Sequence, residues 1–351
     1  MRGKNVLSNL TAYSLAHALV DGACAAMLYA LLASGRGAPQ NLALFILLYD
    51  VLAFSTQPLF GLLVDRLQAP AQMAAAGLAL VAAALLMMKV PLLAAVTAGF
   101  GNAIFHVGGG FASLRMACGK ASLPGIFVAP GALGLTLGLL IGKGGGFVAW
   151  PFIVLLLVLA GLILFLPKAE APAAPLVAPA NLPWFELLIG LLLASVAIRG
   201  LVGQSQVLPW KSDPALLLAL TLAVVLGKAL GGLLADRLGW EKVALSGLAI
   251  AAPLLAFFPG NPALVMLGTF LFNLSMPVTL ICLANLLPEK PGFAFGLTAL
   301  ALIAGALPAF TPLVAFTGQA GWLFAAGLVS LGALYGGLRL YRRYYGENQG
   351  G

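Results

Sequence analysis

Gly61-Leu62-Leu63-Val64-Asp65-Arg66-Leu67 returns as Gly232-Leu233-Leu234-Ala235-Asp236-Arg237-Leu238, 171 residues further along a chain of 351. Each copy lies between two long apolar segments. The chain is 62% hydrophobic and only 8% charged, with a mean hydropathy of +1.06. A soluble domain is nearer about half apolar and about a quarter charged. In lipid every backbone polar group needs an internal partner, which open sheets cannot supply. The alternation of an outer-membrane barrel is absent, so the spanning elements are helices. A repeat of about half the length, with matching loops, predicts two similar helical bundles, the build of a carrier.

A spanning helix needs about 20 mostly apolar residues. Twelve such stretches are legible, near 11–33, 42–64, 71–89, 92–114, 122–142, 146–166, 184–206, 214–235, 242–258, 262–286, 292–316 and 320–340. The expected fold is therefore an all-α membrane protein, twelve transmembrane helices in two pseudo-symmetric six-helix bundles. The first bundle covers residues 1–166 and the second 184–351, ending in a short basic tail. Between them, residues 167–183 hold five prolines and several alanines, an extended cytoplasmic connector. The first apolar stretch is too long for a signal peptide and lacks a small-residue cleavage site, so it reads as a retained span.

The net charge is +8. Placed on this topology, twelve of the eighteen basic residues fall on one side: Arg2, Lys4, Arg66, Arg115, Lys120, Lys168, Arg237, Lys242, Lys290, Arg339, Arg342 and Arg343. Arg36, Lys89, Lys143 and Lys211 fall on the other. Positive residues resist translocation, which puts both termini in the cytoplasm of a bacterial inner membrane and explains the basic balance without nucleic acid. Cys24, Cys118 and Cys282 are scattered in or beside apolar segments and read as free, buried thiols, neither a disulfide framework nor a zinc cluster. No phosphate loop, nucleophile elbow or His-Glu-x-x-His helix is present, so the chain reads as no enzyme, needing no cofactor.

The halves correspond beyond the Asp-Arg loops. Asn102 and Asn273 stand 171 residues apart, and Pro124-Gly125 and Pro291-Gly292 open the fifth and eleventh spans. With its Gly-x-x-x-Asp-Arg loops, the chain resembles the major facilitator superfamily over essentially its whole length. The fifth span, Gly125 to Gly134 through Pro130, is similar to the glycine-proline motif of that family's proton-coupled exporters. His17 and Asp21 in the first span, with Gly101-Asn102-Ala103-Ile104-Phe105-His106 in the fourth, resemble the fosmidomycin-resistance branch of efflux proteins.

Ionisable groups within a bilayer cost at least about 2.5–3.5 kcal/mol each near its centre, which makes each a functional candidate. They are His17, Asp21, Asp50, His106, Arg199 and Lys228. His17 and Asp21 share one helix face, as do Asn102 and His106. The resemblance implies that the first and fourth spans line a central cavity. Asp21 and His17 are then expected to exchange a proton, while Asn102, His106, Arg199, Lys228, Gln204 and Asn273 hold the substrate. Asp65, Arg66, Asp236 and Arg237 are expected to gate, by pairing or by capping a helix N-terminus. Glycines 131, 134 and 138 read as packing against the eighth span, and Pro130, Pro277, Pro308 and Pro312 as kinks.

These features predict secondary transport by alternating access, a proton-coupled export of a small polar or anionic compound by a monomer in the lipid bilayer. The alternative is a divalent transition-metal carrier, whose ligands would be His17, Asp21, Asn102 and His106.

Overall fold

Proline sets where many of the helices begin. The ring fixes φ and lacks an N–H, a loss that is harmless in the first helical turn. Pro58, Pro70, Pro91, Pro151, Pro214, Pro262 and Pro277 all sit at the first or second helical position. The computed structural model describes residues 2–34, 42–167 and 184–347. The expected connector lies outside them except for Pro167, as do Arg36 and Lys168.

The helices are α1 Arg2–Ala33, α2 Leu42–Ser55, α3 Gln57–Leu67, α4 Pro70–Leu86, α5 Pro91–Ala117, α6 Ser122–Lys143 and α7 Trp150–Phe165. They continue as α8 Phe185–Ser205, α9 Pro214–Leu238, α10 Trp240–Phe257, α11 Pro262–Asn273, α12 Met276–Leu286 and α13 Pro291–Ala306. A 3-10 turn, Leu307–Phe310, leads to α14 Val314–Thr317 and α15 Ala320–Glu347. Among the described residues, ten helical segments are long and apolar enough to cross a membrane. The shorter apolar helices Pro70–Leu86 and Trp150–Phe165 fall at the other two expected positions.

Three expected spans are interrupted. The second breaks at Thr56, before Pro58. There Ser55, Thr56 and Gln57 donate to the carbonyls of Val51, Leu52 and Ala53 at 2.5, 2.6 and 2.8 Å, so the break leaves few bare oxygens in an apolar setting. The tenth breaks between Asn273 and Met276, before Pro277, and Ser275 Oγ donates to Phe272 O at 3.0 Å. The eleventh stops at Ala306, ten residues short of expectation, because Pro308 and Pro312 turn the chain into the 3-10 segment. Pro130 stays inside continuous α6.

The chain divides into two compact units. Unit 1 comprises Met1–Cys118, Ile126–Pro172 and Lys290–Gly296, and unit 2 comprises Gly119–Gly125, Ala173–Glu289 and Leu297–Gly351. In unit 1, α6 lies directly on α1. A β-carbon at Gly134 would run into the Ala18 carbonyl, at Gly138 into Gly22, and at Gly142 into Ala26. Close approach of small residues is how helices associate where no hydrophobic effect separates protein from lipid. This corrects the expectation that glycines 131, 134 and 138 meet the eighth span: their partner is the first. In unit 2 the analogous crossing joins α8 and α13, where Gly200 meets Leu302 and Gly305 meets Ala197. Cys24 and Cys282 are buried, whereas Cys118 is exposed, because it caps α5 in a left-handed conformation (φ 50°) at a turn.

Candidate functional site

The contact of α1 with α5 brings four polar side chains of unit 1 together. His17 and Asp21 project one turn apart from α1, Asn102 and His106 one turn apart from α5. His17, Asn102 and His106 are buried, and the Asp21 side chain is 18% exposed. Asp21 Oδ2 stands 3.3 Å from His17 Nε2, and Oδ1 stands 3.6 Å from His106 Nε2. Asn102 Nδ2 donates to Asp21 Oδ1 at 2.9 Å and lies 4.0 Å from Cys24 Sγ. The two Nε2 atoms are 2.9 Å apart, with the rings edge to face.

Both outer ring nitrogens are committed. His17 Nδ1 meets Phe127 O at 2.8 Å, and His106 Nδ1 meets Asn102 O at 2.9 Å. A carbonyl oxygen only accepts, so each Nδ1 carries its proton and donates. A neutral imidazole protonated in this way turns its Nε2 lone pair toward the other ring, beside two carboxylate oxygens. Four electron-rich atoms converge, with Asn102 Nδ2 donating to one of them, Asp21 Oδ1. Such a cluster repels itself until a positive species enters, either a proton or a metal ion. The ligand atoms of His17, Asp21 and His106 all lie within 4.8 Å of one another.

Gly131 keeps this space open. A β-carbon there would meet His17 Nε2 and Asp21 Oδ2. Sequence reading treated Gly131 as packing alone and missed the Phe127 carbonyl. The signal available was the Pro130-Gly131 pair in the exporter-like stretch. Asp50, the other acid of unit 1's apolar segments, is half-buried on α2 and outside this cluster.

Unit 2 has a different centre. Arg199 on α8 is buried and donates to Ser275 Oγ at 2.6 Å, Thr279 Oγ1 at 2.8 Å and Ser195 O at 3.3 Å. Among the described residues, no carboxylate forms an ion pair with it. Guanidinium carries five N–H donors, so part of its capacity remains for an anion. Ser275 and Thr279 stand four residues apart at the start of α12, one helical turn from each other. Lys228 is half-buried on α9, and its backbone oxygen lies against Gly125. Gln204 is exposed in the last turn of α8, and Asn273 donates to Thr269 O at 2.8 Å in its own helix, so neither side chain is brought to Arg199.

The two Asp-Arg loops are alike in detail. Asp65 accepts the backbone N–H groups of Gly292 and Phe293, each at 2.8 Å, in unit 1. Asp236 accepts those of Ala121 and Ser122, each at 2.9 Å, in unit 2. The carboxylates thus cap the N-termini of α13 and α6, where orphan donors and the helix dipole favour an anion. Arg66 and Arg237 are exposed, and Trp240 Nε1 adds a hydrogen bond to Asp236 at 3.0 Å.

Solved structures share this fold, among them two of one transporter. A variant of the E. coli fucose:proton symporter FucP aligns with a TM-score of 0.63 at 14% identity, covering 96% of this chain and 99% of that one. FucP in the outward conformation, described as a major facilitator superfamily transporter, aligns with a TM-score of 0.62 at 14% identity, over 94% and 99%. Identity this low shows the fold alone: the chain is a multi-pass helical membrane protein with the major facilitator fold. No family model matches the chain, and no curated protein does.

Proposed function

We propose that the chain is a secondary active transporter of the major facilitator superfamily, working by alternating access and coupled to protons. The observation that carries this reading is the pair of buried imidazoles whose Nε2 atoms face each other at 2.9 Å beside Asp21. A proton between them turns a repulsion into a hydrogen bond, and Asp21 balances its charge. Removing that proton restores the repulsion, so occupancy of the centre and packing of α1 against α5 are tied together. Coupling needs such a tie, because a proton drives a conformational change only through different affinities for its end states.

His17 and His106 share the proton in this reading, Asp21 balances it, and Asn102 orients Asp21. Arg199, backed by Lys228, supplies affinity for negative charge, so the substrate is a small polar or anionic solute. Asp65 and Asp236 cap helix ends whose release accompanies opening, with Arg66 and Arg237 beside them. The resemblance of the His17–Asp21 and Asn102–His106 stretches to the fosmidomycin-resistance branch supports export across a bacterial inner membrane, with both termini cytoplasmic and the monomer as the working unit. The likeness to a fucose:proton symporter supports proton coupling as such.

Proteoliposomes holding a pH-sensitive dye test this. An imposed gradient of fosmidomycin, a small phosphonate, is expected to move protons, and Asp21→Asn is expected to abolish the signal. Phosphonate flux with no pH change, or an unchanged signal in Asp21→Asn, defeats the coupling role.

A further inference from the structure

The proton is not the only cation whose chemistry fits His17, Asp21 and His106. We infer that these three side chains form a binding site for a divalent transition-metal ion, which takes the place of the shared proton. The inference deepens the reading of this centre and rests on it, because the ion needs the same water path that brings protons.

Metal-binding imidazoles present one nitrogen to the ion and donate the other N–H to a carbonyl or carboxylate, which fixes tautomer and ring orientation. Both histidines are already held in that way, by Phe127 O at 2.8 Å and Asn102 O at 2.9 Å. Asn102 Nδ2, donating to Asp21 Oδ1 at 2.9 Å, plays the corresponding part for the carboxylate. Each ligand is oriented by a second group, and those groups come from different helices.

The distances suit an ion. Two ligands about 2.1 Å from one ion at a tetrahedral angle stand about 3.4 Å apart. Asp21 meets the two imidazoles with different oxygens, Oδ2 at 3.3 Å from His17 and Oδ1 at 3.6 Å from His106, each close to that value. A small rotation of the carboxylate presents one oxygen to the ion. Only the imidazole pair, at 2.9 Å, must part, by about half an ångström on the same geometry. Gly131 supplies the room on the α6 side, where a β-carbon would meet His17 Nε2 and Asp21 Oδ2.

Ligand chemistry narrows the ion. Two neutral nitrogens and one carboxylate suit Zn²⁺, Co²⁺, Ni²⁺ or Mn²⁺; they suit neither Ca²⁺ and Mg²⁺, which prefer oxygen, nor Cu(I), which prefers thiolate. Cys24 Sγ, 4.0 Å from Asn102 Nδ2, is outside the set of three. Three protein ligands leave one position for water or an anion. Structural metal sites close their fourth position; a site that must release its ion keeps one open.

The test is calorimetric titration of the purified full-length protein with Co²⁺, Zn²⁺ and Ni²⁺ near neutral pH. The exposed thiol Cys118 is changed to Ser beforehand to remove adventitious binding. One equivalent is expected to bind. Asn102→Ala should weaken binding about tenfold and His106→Gln or Asp21→Asn more than about 100-fold. Gly131→Ala, which removes no ligand and fills the space, should weaken it too, and the melting temperature of each metal-free variant checks its folding. Failure of all three ions to bind overturns the inference, as does one-equivalent binding with unchanged affinity in His106→Gln and Asp21→Asn. Proton movement without metal binding defeats the inference and leaves the transport reading standing. Metal binding without proton movement does the reverse.

Discussion

The two units keep one feature in register and diverge completely in another. Asp65 caps α13 through Gly292 and Phe293, and Asp236 caps α6 through Ala121 and Ser122. Every member of one set lies 171 residues from its counterpart in the other. At that same offset, His17, Asp21 and His106 correspond to Leu188, Leu192 and Pro277. Leu188 and Leu192 are fully buried, so unit 2 has dry apolar packing where unit 1 has its ionisable cluster. Arg199, the buried cation of unit 2, corresponds in turn to Leu28. Capping is demanded of both copies by the helix ends themselves. The polar centres answer to no such common demand, and each unit carries a different one.

The harshest way to break the comparison is to give unit 2 the acid of unit 1. Leu192→Asp puts a carboxylate among apolar neighbours without imidazoles, and we expect a loss of about 3 kcal/mol of stability, read as a drop in melting temperature in detergent. A nearly unchanged melt would show that unit 2 holds a latent polar site. Next comes Asp21→Asn, expected to cut proton-coupled flux about 100-fold, equivalent to about 2.7 kcal/mol, with no comparable loss of stability. Equal losses of flux and fold would reduce the cluster to a structural lock.

Packing gives a smaller and symmetric effect. Gly134→Val in unit 1 and Gly305→Val in unit 2 each drive a side chain into a backbone carbonyl of the neighbouring helix. Each should cost about 2 kcal/mol by thermal melting. A much milder effect at Gly305 would mean that the crossing is tight only where it frames the site. Arg199→Gln should weaken binding of an anionic substrate about tenfold, or about 1.4 kcal/mol. Its melting temperature should hold, since among the described residues no carboxylate pairs with the guanidinium. Smallest are Asp65→Asn and Asp236→Asn, each expected to cost about 1 kcal/mol. The amide keeps one acceptor oxygen where the carboxylate uses two, and it loses the charge that favours the helix end. The Trp240 hydrogen bond should make the second slightly the larger.

Much of the site was legible because bilayers punish stray polarity. In a chain this apolar, His17, Asp21, His106 and Arg199 stand out individually, and spacing of four puts His17 with Asp21 and Asn102 with His106. Periodicity within one helix says nothing of which neighbour it meets, so the glycines of α6 were assigned to the eighth span when their partner is α1. Gln204 and Asn273 show the same limit: both are polar and near the right depth, yet one is exposed and the other is bonded within its own helix. Cys118 was read as buried from its apolar surroundings, but a left-handed cap turned it outward.

Composition determined by itself that this is an all-helical membrane protein, because lipid permits few ways to satisfy a backbone. Proline positions mark where many of the helices begin, but Pro130 and Pro253 stay inside continuous helices. Tertiary structure alone decided that two imidazoles confront each other with their protonated nitrogens turned away. That arrangement depends on carbonyls donated by Phe127 and Asn102 and on the missing side chain of Gly131, and backbone atoms leave no mark in a sequence.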